Sequence, residues 1–85
     1  MKIEIITPEE TIFQGEVDSI KVPGRKGEFQ VLKEHAPIVS TLGKGPVTIS
    51  EKGGKKTTFE IEGGVVEVKM NTIILLVENI LNRSK

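Results

Sequence analysis

Turn signals recur along this chain as densely as a small all-β domain requires. Nine glycines and four prolines fall among 85 residues. Most of them separate short runs in which apolar and polar residues alternate, and that period of two belongs to strands. The runs are Lys2 to Ile6, Thr11 to Gln14, Val17 to Val22, Glu28 to Leu32, Ile38 to Leu42, Val47 to Ser50, Thr57 to Glu62, Val65 to Lys69 and Ile73 to Val77. Thr57-Thr58-Phe59-Glu60-Ile61-Glu62 alternates most clearly. Sustained i, i+3, i+4 periodicity is absent. Strands repeating at roughly 8–12-residue spacing with turns between them predict a β-sandwich or small barrel. Ile20, Val22, Ile49, Phe59 and Ile61 are expected in its core. The tail from Glu78 to Lys85 is polar apart from Ile80 and Leu81, and predicts one further short strand or turn followed by fraying. The expectation is one all-β domain over residues 1–85, a flattened sandwich of about ten short strands in two antiparallel sheets.

Each turn has its own chemistry. Gly15 is expected to end the second run and to separate it from the third. Gly53-Gly54 is a strong hairpin signal, and Met70-Asn71-Thr72 a turn. The stretch from Val22 to Pro37, VPGRKGEFQVLKEHAP, concentrates two of the four prolines and the only histidine. Pro23-Gly24 predicts a turn, because proline presets φ and glycine accepts positive φ. Gly27 allows a second reversal, and His35-Ala36-Pro37 closes the segment. A glycine-bounded hairpin, with Arg25 and Lys26 at its tip and Glu28 at its foot, should therefore project from the body. A charged tip of this kind cannot be core and must meet water or a partner.

Composition narrows the function. Twelve basic and twelve acidic residues leave a net charge of zero, which argues against a nucleic acid or an anionic membrane as partner. Cysteine is absent, so the chain has neither a disulfide framework nor a thiolate metal site, in keeping with a reducing compartment. Met1-Lys2-Ile3-Glu4 enters the alternating pattern directly, without a signal-peptide pattern. The longest apolar run, Ile73 to Val77, has five residues against the roughly 20 of a membrane helix. A soluble protein is expected, with any membrane association made through another protein. An apolar fraction of 36% is low for an independent domain and predicts that a partner completes some apolar surface. Ile73 to Val77, apolar on both faces, fits either core burial or a face covered by another subunit.

Catalytic signals are weak. His35 is the only imidazole, and neither Ser40 nor Ser50 sits in a nucleophile-elbow pattern. A single histidine without cysteine makes a poor zinc site. Glu9-Glu10, and Glu60 with Glu62, read as solvated carboxylates. Gly24-Arg25-Lys26-Gly27 and Gly43-Lys44-Gly45-Pro46 lack P-loop spacing, and the basic turn Lys52 to Lys56 lacks aromatic neighbours. The residues alone reach a small all-β binding or structural module, with neither cofactor nor small-molecule substrate expected.

An ordered set of motifs carries a resemblance that goes further. Phe13-x-Gly15-x-Val17-x-Ser19-Ile20-x-Val22-Pro23-Gly24 is followed by Gly27-Glu28-Phe29-x-Val31-Leu32-x-x-His35-Ala36-Pro37, then by Leu42-x-x-Gly45-x-Val47-x-Ile49. Gly63-Gly64-Val65-Val66-Glu67-Val68 and Asn71-Thr72-Ile73-Ile74-Leu75-Leu76-Val77 complete it. From Ile3 to about Glu78 the sequence resembles the epsilon subunit of the F-type ATP synthase. The resemblance implies a non-catalytic β-sandwich of the central-stalk rotor, bound to the gamma subunit and resting on the membrane c-ring. It would help couple proton transport to ATP synthesis at the cytoplasmic face of the bacterial inner membrane. On that reading Arg25, Lys26 and Glu28 meet the c subunits, and His35, Val39 and Leu42 meet gamma. Many members continue into a helical hairpin that inhibits hydrolysis and in some binds ATP. This sequence shows no helical pattern before Lys85; it is either naturally short, which Met1 at its start favours, or trimmed from a longer chain, and that inhibition is not expected of it. A free-standing module for a peptide or sugar is the alternative.

Overall fold

The structure is a computed structural model that describes residues 1–84, the last four through backbone pairing alone. Its strands are β1 (Lys2–Ile6), β2 (Thr11–Gly24), β3 (Gly27–Leu32), β4 (Ile38–Leu42), β5 (Gly45–Glu51), β6 (Lys56–Ile61), β7 (Gly64–Lys69), β8 (Thr72–Val77) and β9 (Ile80–Ser84). The tail thus supplies a strand, antiparallel to β6; the fraying expected at Lys85 lies outside the described residues.

The β2 strand organises the rest. Its first half pairs with β1, which continues through β8 and β7 to β4. Its second half lies between β3 and β5, and β5 continues through β6 to β9. Two five-stranded layers therefore share one strand, which gives the expected sandwich. A single pairing of Gly24, at the far end of β2, with Leu42 of β4 ties the edge of the first layer to the second. Pairing is antiparallel throughout the described strands except between β1 and β8, which run parallel. The flattening is slight, with extents of 27 × 26 × 23 Å.

Two expected breaks are absent. Gly15 lies within β2, opposite Ile3. A Cβ there would meet only the Phe13 ring, at 3.7 Å, so this glycine neither needs nor makes a break. The bend between layers falls further on: Val17 pairs with Glu51 and Ser19 with Ser50, leaving Asp18 as an extra residue. Such a bulge bends and twists a strand. Pro23-Gly24 also stays in the ladder, opposite Glu28 and Gly27. The reversal is made by Arg25-Lys26, with Gly27 at φ 135°. Proline is tolerated in the ladder where its nitrogen is not required as a donor. Gly53 and Gly54 make their turn at φ 98° and 96°.

Alternation decides which residues fill the space between the layers. Ile3 and Ile5 of β1, Val66 and Val68 of β7, and Ile73, Leu75 and Val77 of β8 face inward from one layer. Ile20, Val22, Val31, Val47, Ile49, Phe59 and Ile61 meet them from the other. All five residues expected in the core are there, and Phe59 is the largest fully buried side chain.

Candidate interaction surfaces

The β2–β3 hairpin tip is held from behind by two backbone bonds. Arg25 N donates to Thr41 O at 3.2 Å, and Gly43 N donates to Pro23 O at 2.7 Å. They fasten the hairpin base to the β4–β5 connection. Gly24 serves packing here: a Cβ would come within 2.8 Å of the Phe29 ring and 2.7 Å of Gly27 O. The hairpin is thereby fixed while Arg25, Lys26 and Glu28 all remain exposed.

The loop from Lys33 to Pro37 presents His35. His35 N donates to Leu32 O at 3.1 Å, closing a turn. The ring's Nδ1 lies 2.7 Å from Ala36 O; a carbonyl only accepts, so Nδ1 carries a proton, and in the neutral ring Nε2 is left as an acceptor. The ring is half-buried, and Ala36 and Pro37 beside it are exposed. Its hydrogen bond is to its own loop, an arrangement that orients the ring without pairing it to a nucleophile.

Val39 and Leu42, expected beside His35 on one contact face, part company. Val39 is 71% exposed, whereas Leu42 is 1% exposed and belongs to the core. Three residues apart in a strand, they point to opposite faces. Leu42 thus offers no side-chain surface for a contact, and this corrects its expected place there.

The outer face of the first layer shows what a list of single residues misses. Its strands align in rows. One row runs Thr41, Val65, Leu76, Ile6, and the next Val39, Glu67, Ile74, Glu4, Gln14. Ile6, Val65 and Ile74 are half-buried and Leu76 is 50% exposed, so Val39, Ile74, Leu76, Val65 and Ile6 spread apolar surface over four neighbouring strands. The signal was present in Ile73 to Val77: alternation buries Ile73, Leu75 and Val77 and leaves Ile74 and Leu76 outside. What the sequence alone leaves open is which strands flank them.

At one end of this face lies a shallow cleft of ≈ 800 Å³ between Ile6, Pro8, Val65 and Leu76, with Arg25, Lys44, Glu62 and Glu78 at its rim. Its four charges are two of each sign. Asn79 Nδ2 donates to Glu62 at 3.0 Å, and Glu78 N to Gly63 O at 3.1 Å. Among the described residues no three potential metal ligands cluster, and no helix is long and apolar enough to cross a membrane.

Comparison with known proteins supplies the context. The family model described as the β-sandwich domain of the ATP synthase delta/epsilon chain matches residues 1–83. The ATP synthase epsilon chain of Leptospira borgpetersenii is 44% identical over 79 residues, covering 93% of this chain and 61% of that one. The epsilon chain of Chlorobium limicola is 43% identical over 79 residues, 93% of this chain and 90% of that one. This chain thus spans about three fifths of the length of the first relatives it matches. A chain in the Euglena gracilis mitochondrial ATP synthase assembly of OSCP, F1 and c-ring superposes with a TM-score of 0.87 at 26% identity, over 93% of this chain and 51% of that one. One in the central stalk and c-ring of the Tetrahymena thermophila enzyme gives a TM-score of 0.81 at 20% identity, over 96% and 66%, a likeness of fold.

Proposed function

Since the chain belongs to the ATP synthase delta/epsilon family, as its β-sandwich domain, we propose that it is a non-catalytic rotor subunit linking gamma to the c-ring. The observation that carries the reading is the combination of a family match over nearly the whole chain with an apolar sheet face open to docking. A surface of side chains from four paired strands is broad and stiff. It suits a protein partner better than a small substrate, which needs an enclosing pocket with convergent polar groups.

The two ends of the contact divide by chemistry. The exposed, backbone-braced tip of Arg25, Lys26 and Glu28 suits the polar loops of the c subunits, where charged hydrogen bonds form without burying apolar surface. Val39 on the outer face and His35 on its loop suit gamma, with His35 Nε2 accepting a hydrogen bond. A subunit gripping both gamma and the ring makes them turn together, and so supports coupling of proton transport to ATP synthesis. In this role the domain sits at the cytoplasmic face of the bacterial inner membrane, held there by its partners.

Titration of the purified chain against gamma subunit in a calorimeter tests the reading. Binding is expected, with the negative heat-capacity change that marks apolar burial. Absence of binding to both gamma and the assembled c-ring would remove the rotor reading.

A further inference from the structure

We propose that Asn71 is a positioning residue for the His35 loop, and that it sets gamma affinity without touching gamma; the inference rests on the rotor reading above. Asn71 lies in the β7–β8 turn, 36 residues from His35 in sequence. Three features bring the two together. Glu34, the residue before His35, has φ 66°, a left-handed conformation that a non-glycine residue holds only when its surroundings impose it. Glu34 N donates to Asn71 Oδ1 at 3.1 Å. Asn71 is itself fixed, because its carbonyl accepts Lys2 N at 3.0 Å at the start of β1.

The local chemistry suits only a few residue types. Met70 and Asn71 have φ 50° and 61°, the two-residue left-handed turn that matches strand twist. Asparagine tolerates that conformation, and its short side chain ends in a carbonyl oxygen that reaches the neighbouring loop. Asn71 thus joins three segments: β1 through its main chain, the β7–β8 turn through its conformation, and the His35 loop through its side chain. The loop bonds internally through His35 N to Leu32 O, which leaves the Asn71 contact as the tie from Glu34 to the sheet. Releasing it frees Glu34 to return to right-handed φ, and the direction of the imidazole and of Ala36 changes with it.

Two substitutions separate the tie from the turn. Asn71→Gly keeps the left-handed turn and deletes the acceptor; Asn71→Asp keeps both. Amide exchange and gamma titration are measured on both variants and on the unaltered chain. In Asn71→Gly the Glu34 amide is expected to exchange faster and the Kd for gamma to rise, each by about two- to tenfold, as for one lost hydrogen bond. The thermal midpoint should fall by no more than about 4–8 °C, the shift one hydrogen bond makes in a domain of this size, and Asn71→Asp should restore the exchange rate and the Kd. Unchanged Glu34 exchange in Asn71→Gly overturns the tie. Faster exchange with unchanged gamma affinity overturns the positioning role. In both cases the unaltered chain still binds gamma, so the rotor reading stands. An unaltered chain that does not bind gamma overturns this inference, and one that binds neither gamma nor the assembled c-ring overturns the rotor reading with it.

Discussion

Single residues decide more here by the space they leave than by the groups they carry. At Gly64 a Cβ would run into the Leu76 carbonyl and come within 3.0 Å of Val77 Cα. Both obstacles are backbone of the paired strand β8, which cannot swing aside as a side chain does. Gly64→Ala should therefore destabilise the fold by about 1–3 kcal/mol, as overpacking does, seen as a lower urea midpoint with an unchanged slope. His35 acts through its chemistry instead. With Nδ1–H donated to Ala36 O, only Nε2 can meet a partner. His35→Ala should weaken gamma binding by about 1 kcal/mol, the typical worth of one hydrogen bond, and leave the thermal midpoint in place; an unaltered Kd would put His35 outside the contact. Leu42 shows where reading residue by residue fails. It is apolar and close in sequence to Val39, yet strand parity sends it into the core.

At the scale of elements, the strands were legible because each carries its own alternation. Phe59 and Ile61 face inward and Thr58 and Glu60 outward for the reason visible in the sequence. Breaks were less legible, since a glycine or proline marks only what the backbone can do. Gly15 and Pro23-Gly24 both permit a turn, and pairing to β1 and β3 overrides both. The parallel β1–β8 pair and the shared strand β2 depend on contacts between distant segments, which no local pattern encodes. The Asn71 tie was hidden for the same reason. One substitution separates a strand through Gly15 from a stop at it. Since a Cβ at that position meets only the Phe13 ring at ordinary contact distance, Gly15→Ala should be neutral or stabilising by about 0.4–1 kcal/mol through the unfolded chain's lost freedom. A destabilisation larger than that would mean that the backbone there needs glycine.

For the molecule as a whole, the decisive question is which way up it is mounted. The β5 strand gives it a ruler. A Cβ on Gly45, at the start of β5, would lie 2.9 Å from Pro23, next to the β2–β3 tip. At its other end Glu51 pairs with Val17, and Lys52 beyond it lies near Met1, Glu16 and Leu32. Seven extended residues span roughly 20 Å at about 3.3 Å each. Glu28 and the Lys52–Lys56 turn therefore mark opposite ends of the second layer. A rotor subunit resting on the c-ring presents one end to the ring and holds the other away. The β2–β3 tip is the better candidate, being braced to Thr41 and Gly43, exposed, and supplied with both a carboxylate and two cations. The Lys52–Lys56 turn carries only cations, and its backbone bonds, Glu51 N to Lys55 O at 2.7 Å and Gly54 N to Glu51 O at 3.0 Å, stay within its own hairpin. Cysteine introduced as Glu28→Cys should then form a disulfide under mild oxidation with a cysteine in the polar loop of a c subunit, while Lys55→Cys should not. The reaction is local, because a disulfide needs Cα atoms within about 7 Å, so it reports contact and not mere proximity to the membrane. A cross-link at position 55 with none at 28 would turn the sandwich over, assign the ring contact to the β5–β6 turn, and leave the Arg25-Lys26 tip facing away from the ring.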